Sequence, residues 1–195
     1  MNKKLGTSIG VIDIVMAIIV SYFIFLSDSS NPSIIQQEKE TSKEPIELIL
    51  NVNDLPSGYK EGSREPRFKS EMAQRALDWG WEDGYFASFS KSNDGEMSIT
   101  WIKQYISIYP LENISKLKVF PLEGEGITIE EIEIENIGDE SRAFYIVDEN
   151  NFADSFGYYR IQFRKKNVRE LIIMTGNVKN FEVLKEFVRN AEKKI

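Results

Sequence analysis

Residues 85–109, YFASFSKSNDGEMSITWIKQYISIY, carry the clearest indication of the fold class. The two arms of this stretch, Tyr85 to Lys91 and Met97 to Tyr109, are rich in aromatic and β-branched residues, which favour strands. The segment Ser92-Asn93-Asp94-Gly95 between them has the composition of a hairpin turn, in which Asn, Asp and Gly tolerate positive φ. The stretch therefore predicts two antiparallel strands joined by a turn.

Apolar patterning predicts further elements on both sides of this hairpin. Strands are expected at Ile46 to Leu50, Ile127 to Ile134, Ala143 to Val147, Tyr159 to Arg164 and Val168 to Thr175. In the second of these the apolar positions change parity between Ile129 and Ile132, as a β-bulge or a bend would produce. Helices are expected from an N-cap at Ser70 to Gly80, and along a C-terminal apolar stripe from Phe181 to Ile195. An antiparallel β-sheet packed with a few helices is an α+β fold.

An apolar run from Ile9 to Leu26 follows Lys3 and Lys4. Its 18 residues are just long enough for a membrane-spanning helix. Asp13 shortens the uninterrupted part to the size of a signal-peptide core, but no A-x-A-like cleavage site follows the run. We therefore expect an N-terminal transmembrane helix that stays attached, with a cleaved signal peptide as the alternative. The two lysines place the amino terminus in the cytoplasm and the rest of the chain outside.

Composition divides the chain into four parts. Residues 1–8 are predicted as a cytoplasmic N-terminus, 9–26 as the transmembrane anchor or signal, 27–45 as a flexible linker, and 46–195 as an extracytoplasmic α+β domain. The linker is rich in Ser, Gln, Glu, Lys and Pro, and it has too few apolar side chains to offset the entropy of ordering. The sequence thus predicts a single-pass protein of the cell membrane whose C-terminal domain lies outside the cytoplasm.

The chain of 195 residues contains no Cys and no His and has a net charge of −7. The lack of Cys excludes disulfides and thiol catalysis. The lack of His excludes the usual general base near neutral pH and most transition-metal sites. Charges in the first 30 residues cancel, so the rest of the chain carries the whole negative charge, which repels nucleic acids. We expect neither a cofactor nor a nucleic-acid partner.

Three stretches, together with the order of elements, indicate a relationship to known domains. They are DLPSGY at 54–59, IGDES at 137–141 and YRIQFRKKN at 159–167. They resemble the PsbP-like fold of photosystem II extrinsic proteins and their non-photosynthetic relatives, and also uncharacterised membrane-anchored outer domains of prokaryotes. The resemblance implies a domain that docks a protein or binds a small ligand rather than an enzyme. No functional residue of the family matches a position in this chain.

The densest group of carboxylates near turns contains Asp139, Glu140 and Asp148. Such loops can supply the six to eight oxygen ligands that Ca²⁺ takes. The EF-hand pattern fails, because Phe152 stands where an acid or an amide is needed. Asp139, Glu140 and Asp148 are therefore the candidate metal ligands, and a solvated turn without metal is the favoured alternative.

Basic side chains are concentrated in one C-terminal segment, which contains Arg160, Gln162, Arg164, Lys165, Lys166 and Arg169. Arg160 and Arg164 share a strand face and are the candidates for binding an anionic group or an acidic partner. The favoured alternative is pairing within the sheet to the acidic run Glu130-Glu131-Ile132-Glu133-Ile134-Glu135. That run is itself expected on an edge strand, where charges discourage edge-to-edge pairing.

Aromatic residues are concentrated around the hairpin, at Trp79, Trp81, Tyr85, Phe86, Trp101, Tyr105 and Tyr109. Most of them are expected in the core. Trp79 or Trp81, on either side of Gly80, is the expected exposed exception, and both are candidates for a ligand- or partner-binding surface.

The chain contains no P-loop, GxGxxG, GxSxG or CxxC motif, and no catalytic residue is predicted. We expect a membrane-anchored extracytoplasmic domain with a non-catalytic role in binding a ligand or a protein. Its partners would be the membrane, through residues 9–26, and an envelope protein or a small ligand. The alternatives are a carboxylate-based extracellular hydrolase, with or without Ca²⁺, and a structural subunit of a cell-envelope complex.

Overall fold

The computed structural model of the chain describes residues 40–92, 99–117, 126–148, 157–176 and 181–195. Their strands are β1 Lys60–Pro66, β2 Asp83–Ser92, β3 Ile99–Ile108, β4 Ile127–Ile132, β5 Glu140–Asp148, β6 Tyr158–Lys165 and β7 Val168–Thr175. Their α-helices are α1 Pro45–Leu48, α2 Gln74–Asp78 and α3 Phe181–Glu192, and 3₁₀ helices span Val52–Asp54, Lys69–Glu71 and Leu111–Lys116. The predicted antiparallel sheet with a C-terminal helix is confirmed.

The strands form one sheet in the order β1-β2-β3-β7-β6-β5-β4, and every neighbouring pair is antiparallel. Two meanders, β1 to β3 and β4 to β7, build its halves, and the pairing of β3 with β7 joins them. The predicted hairpin is confirmed as β2 and β3, whose register is unbroken along the whole of β2. Its turn falls in residues 93–98, which lie outside the described residues.

Helix α3 packs against one face of the sheet, which we call the helix face. Four of its apolar side chains are buried, namely Leu184, Phe187, Val188 and Ala191. They share a core with strand residues that include Ile102, Ile106, Ile161, Phe163 and Ile172. Burial of this apolar stripe stabilises the C-terminal helix, which confirms the prediction from its periodicity.

The strand predicted from Ile46 to Leu50 is wrong, because Pro45–Leu48 is the short helix α1. Pro45 stands at the start of this helix, where its missing N–H removes no intrahelical hydrogen bond. Residues 48–50 are all buried in the core, whereas a half-buried strand would expose the middle one. The apolar alternation here reflects a helix that leads into a fully buried extended segment.

The β-bulge predicted between Ile129 and Ile132 is also wrong, since β4 pairs with β5 in unbroken register. Ile132 packs against the core on the helix face, whereas Ile129 packs with Phe144 and Ile146 on the opposite face. At the β4 edge, both faces of the sheet carry apolar side chains. The apolar positions of β4 can therefore move from odd to even numbers while its backbone stays regular.

The helix predicted from Ser70 to Gly80 is shorter than expected. Ser70 lies in the 3₁₀ helix Lys69–Glu71 instead of capping an α-helix, and α2 begins only after its N-cap residue Ala73. Gly80 has a φ of +80° and follows the C-cap, so it ends the segment as predicted.

Among the described residues, no helix combines the length and the apolarity needed to cross a membrane. The predicted anchor at residues 9–26 lies outside them. Residues 40–45, the last of the predicted linker, contact the sheet domain. The Thr41 backbone N–H donates a hydrogen bond to Asn167 Oδ1 at 2.9 Å, and Pro45 is buried.

Candidate functional site

The face of the sheet opposite α3, which we call the second face, is covered in part by α2 and the chain around it. Trp81, Tyr109 and Leu117 form a small separate core under this cover. Beside that core lies a cavity of about 240 Å³. Six of its lining residues are polar or aromatic, namely Arg67, Arg160, Arg169, Tyr105, Ser107 and Tyr109. We call it the arginine cavity.

The register of the sheet explains how distant arginines come together. Arg169 on β7 lies opposite Ser107 on β3, and Arg160 on the neighbouring strand β6 lies opposite Ile173. Because alternate side chains of a strand point to the same face, Arg160, Arg169 and Tyr105 all project from the second face. Arg67 directly follows β1 and reaches the same place from the other half of the sheet.

The Arg67 side chain is held by two contacts. Its Nη1 donates a hydrogen bond to Ser107 Oγ at 3.0 Å, and its Cζ lies 5.3 Å from the centroid of the Tyr105 ring. Burial lowers the pKa of Arg67, and its interactions with Tyr109, Tyr105 and Glu71 partly oppose this. A guanidinium has five N–H donors, so the bond to Ser107 leaves several for a ligand.

Arg160 is the most buried of the three arginines, with 9% of its surface exposed. Its Nε has no hydrogen-bond partner in the part of the chain that the structure describes. Burial lowers the pKa of Arg160 to about 10, and the positive charge of Arg169 adds to this effect. The side chain therefore stays protonated at neutral pH, and a buried charge without an acceptor is costly.

Arg169 is held by residues of two other elements. Its Nη2 donates a hydrogen bond to Gln162 Oε1 at 2.7 Å, and its Cζ lies 5.7 Å from the centroid of the Trp79 ring. Gln162 is fully buried, which limits its movement. The Arg169 guanidinium is thus fixed in position beside Arg160.

Among the described residues, no carboxylate lines the arginine cavity and none of its arginines forms an ion pair. Arginines elsewhere differ: Arg64 pairs with Glu61 at 2.9 Å and Arg142 with Glu131 at 2.6 Å. The arginine cavity therefore concentrates positive charge in an otherwise acidic chain. Such an arrangement attracts and binds anions.

The structure separates the two arginines predicted to form a binding surface. Arg160 lines the arginine cavity. Arg164 lies four residues further along β6, about 13 Å away, and pairs with Asp139 at 3.5 Å. Two arginines on one face of a strand are therefore not one site in this case.

The two predicted tryptophans also have different surroundings. Trp79 is half-buried and contacts Arg169 next to the arginine cavity. Trp81 is only 4% exposed and belongs to the small core, so the expectation that it is exposed is wrong. The exposed tryptophan is Trp101, at 42%, because it faces away from the core near the start of β3.

The three predicted metal ligands are not brought together. Asp139 and Glu140 lie at the start of β5 and Asp148 at its end, about 27 Å away in an extended strand. Asp139 Oδ2 instead accepts a hydrogen bond from the Lys166 backbone N–H at 2.7 Å. No three acidic side chains among the described residues are grouped as a metal site would require.

The basic segment serves several structural purposes. Lys165 Nζ donates a hydrogen bond to Glu192 O at 3.1 Å and Lys166 Nζ donates one to Ile195 O at 2.7 Å, which ties the end of α3 to the sheet. The acidic strand β4 lies at the edge of the sheet, as predicted, with β5 between it and the basic strand β6. Glu131 pairs with Arg142 rather than with the basic segment.

Sequence reasoning missed three residues of the cavity, namely Arg67, Tyr105 and Ser107. Arg67 follows a polar edge strand with no apolar pattern, so no periodic signal marks it. The alternation within β3 does place Tyr105 and Ser107 on the face opposite Ile102 and Ile106. The alternation within β3 does not show that Arg67 contacts Tyr105 and Ser107 on that face.

Comparisons with known proteins add little. No known protein family and no curated protein matches the sequence. An uncharacterised protein from Mycobacterium smegmatis is 9% identical with a TM-score of 0.43, and the match covers 73% of this chain and 93% of that one. The extracellular domain of PknH from Mycobacterium tuberculosis is 10% identical with a TM-score of 0.43, covering 75% and 93%. The resemblance to the PsbP-like fold is not confirmed by these matches.

Proposed function

We propose that this protein is a membrane-anchored extracytoplasmic domain that binds a small anionic ligand in the arginine cavity without transforming it. The observation that carries the proposal is the convergence of Arg67, Arg160 and Arg169 on one cavity, where no described residue of the lining is a carboxylate. The membrane placement rests on the apolar run at residues 9–26 and the lysines before it.

Electrostatics supports an anion as the ligand. Arg160 is buried, its Nε has no hydrogen-bond partner within the described ranges, and it lies next to another positive charge. An anion would compensate these charges, and in a partly buried site the attraction is stronger than in water. Guanidinium groups bind carboxylates and phosphates through paired hydrogen bonds, so the donor type also fits an oxyanion.

The residues around the cavity favour binding over catalysis. Arginine stays protonated and is a poor general acid or base, and the chain offers no His or Cys as a nucleophile or proton carrier. The alternative hydrolase needs carboxylates, and none is found among the described lining residues; Asp139 is engaged with Arg164 and Lys166. The arginine cavity thus has the groups that hold an anion but not those that usually move a proton.

The size of the cavity limits the ligand. Its volume of about 240 Å³ lies below the roughly 300–1,000 Å³ of sites that hold drug-sized molecules. Met72, Ala76 and Leu171 supply an apolar part of the lining. The ligand that fits this description is a small oxyanion, alone or with a short apolar substituent.

Isothermal titration calorimetry of the purified full-length chain in a non-ionic detergent tests the binding proposal. We expect benzoate or inorganic phosphate to bind to the wild type, and Arg160→Gln to abolish this binding. Arg142→Gln is the matched control, because it removes the same charge from an arginine outside the cavity lining. Absence of binding by both anions, or equal loss in both variants, would refute the proposal.

A separate experiment tests the placement. In cell fractionation the full-length chain should sediment with membranes and remain there after an alkaline wash. Protease added outside intact spheroplasts should digest the sheet domain. Recovery of the intact chain in the soluble cytoplasmic fraction would contradict the membrane placement and leave the binding proposal standing.

A further inference from the structure

We propose that the arginine cavity binds a phosphomonoester group, an inference that rests on the anion-binding function proposed above. The group is a tetrahedral dianion on a small or exposed substituent. Three features of the cavity lead to it: the number of positive charges, the number of free donors and the apolar part of the lining.

Charge is the first feature. Arg67, Arg160 and Arg169 bring three positive charges to one small cavity, and no lining residue that the structure describes is negative. A carboxylate or a sulfonate supplies one negative charge, whereas a phosphomonoester carries about −1.5 to −2 at neutral pH. A dianion therefore compensates the mutual repulsion of these guanidinium groups more completely.

Donor count is the second feature. Arg67 and Arg169 each use one N–H donor on a neighbouring side chain, Ser107 and Gln162 respectively, and the Nε donor of Arg160 has no partner among the described residues. These bonds fix two guanidinium groups while leaving donors on all three. A phosphomonoester offers three strong acceptor oxygens, one for each arginine, whereas a carboxylate has two.

The lining supplies the third feature. Met72, Ala76 and Leu171 add an apolar surface, and Tyr105 and Tyr109 add aromatic rings. The volume of about 240 Å³ is about eight times the share of one water molecule in the liquid. That space takes a phosphate and one small apolar group.

Calorimetry with three related ligands tests the assignment on the full-length chain. Phenyl phosphate is a tetrahedral dianion, benzenesulfonate a tetrahedral monoanion and benzoate a planar monoanion, so the set separates charge from shape. At about pH 8 we expect phenyl phosphate to bind at least roughly tenfold more tightly than either monoanion, because it adds charge-assisted hydrogen bonds. Arg160→Gln should abolish binding of all three ligands, and Arg142→Gln should bind them with the preference of the wild type.

The outcomes distinguish the two proposals. If all three ligands bind with similar affinity, anion binding stands and the phosphomonoester assignment is refuted. If none binds to the wild type, the proposed function fails as well. Arg67→Gln provides a second variant if Arg160→Gln does not fold, since Arg67 is less buried. Retention of the full preference in a folded Arg67→Gln protein would also overturn the assignment.

A pH arm adds an independent test. Lowering the pH to about 5 converts a phosphomonoester largely to the monoanion, since its second pKa is near 6. Phenyl phosphate should then lose most of its advantage, while benzenesulfonate should bind with unchanged affinity. If phenyl phosphate still binds more tightly than benzenesulfonate at about pH 5, the arginine cavity does not select its ligand by charge, and the assignment is contradicted.

The same chemical group occurs on soluble esters and on the lipid phosphatidic acid, so a last arm separates these sources. The anchor proposed at residues 9–26 would carry the full-length chain into any vesicle, so this arm uses lipids dispersed in the same detergent. Phosphatidic acid and phosphatidylcholine are each titrated as competitors of phenyl phosphate. Displacement by phosphatidic acid but not by phosphatidylcholine supports a lipid source, and phenyl phosphate binding that neither lipid displaces supports a soluble one. Equal displacement by both lipids would count against the assignment.

Discussion

Replacing the buried carboxyl of Glu170 with an amide should remove a pH dependence from the stability of the sheet domain. Glu170 lies on the helix face of β7, opposite Ile106 of β3, and its side chain is fully buried. Gln104 Nε2 donates a hydrogen bond to Glu170 Oε1 at 2.6 Å, and Gln104 Oε1 accepts one from the Leu50 backbone N–H at 3.0 Å. The second carboxyl oxygen has no hydrogen-bond partner among the described residues.

Burial raises the pKa of Glu170 from 4.5 to about 8, although the Gln104 bond and the charge of Lys194 partly oppose the shift. Between these values the folded chain holds a proton that the unfolded chain has lost. The stabilising contribution of Glu170 is therefore complete below about pH 4.5 and is lost as the pH rises to about 8. At about 1.4 kcal/mol per pH unit, the loss in the free energy of unfolding is on the order of 5 kcal/mol.

The variant Glu170→Gln stays neutral at every pH and keeps an acceptor for Gln104. The difference in unfolding free energy, variant minus wild type, should therefore rise across this pH window and level off above about pH 8. Urea unfolding of the full-length chain, followed by tryptophan fluorescence at a series of pH values, measures this difference. Taking the difference between two proteins cancels the titration of every other carboxylate.

Glu130→Gln is the matched control, because Glu130 is an exposed residue of the edge strand β4. It should shift the free energy of unfolding by less than about 0.5 kcal/mol across the series. A difference for Glu170→Gln that stays constant with pH, or falls as the pH rises, would refute the reasoning from burial.

Three further outcomes follow from the same structure. Phe187→Ala should lower the free energy of unfolding by about 3–5 kcal/mol in urea titrations, because the ring is fully buried; a loss below about 1 kcal/mol would contradict its place in the core. Gly176→Ala should lower the melting temperature, because Gly176 has a φ of +103° and a Cβ there would lie 2.1 Å from Ile99 O; such strain costs on the order of 1–3 kcal/mol, and an unchanged melting temperature would count against it. Ca²⁺ should leave the melting temperature unchanged, because Asp139 and Asp148 lie at opposite ends of β5; a rise that a chelator reverses would show otherwise.

Local sequence was sufficient for the elements whose neighbours in the chain are also their neighbours in space. The β2–β3 hairpin and α3 were predicted because alternation and helical periodicity appear within a few residues. Strand β1 carried no such signal, since its sequence KEGSREP is polar and mostly exposed. It is a strand because its backbone pairs with β2, and that pairing does not depend on apolar side chains.

Two predictions were incorrect for the same reason: the strand from Ile46 to Leu50, which is partly α1, and the bulge in β4. Alternation was interpreted as one buried face and one solvated face, but residues 48–50 are buried on every side and β4 packs apolar residues on both faces. Whether a segment is buried on both sides depends on which distant parts of the chain pack against it. A local sequence pattern does not contain that information. Trp81 was misplaced for the same reason, because the residues that cover it lie around α2 and before β4.

For the candidate site, composition alone indicates which chemical groups are available. The absence of His and Cys removes most catalytic groups, and the basic segment already contains Arg160 and Arg169. Which charges meet depends on the fold. The pairing of β3 with β7 joins two meanders and brings Arg67 to residues about a hundred positions later, while it leaves Arg164 with Asp139. Charges interact through space, whereas a sequence records only their order along the chain.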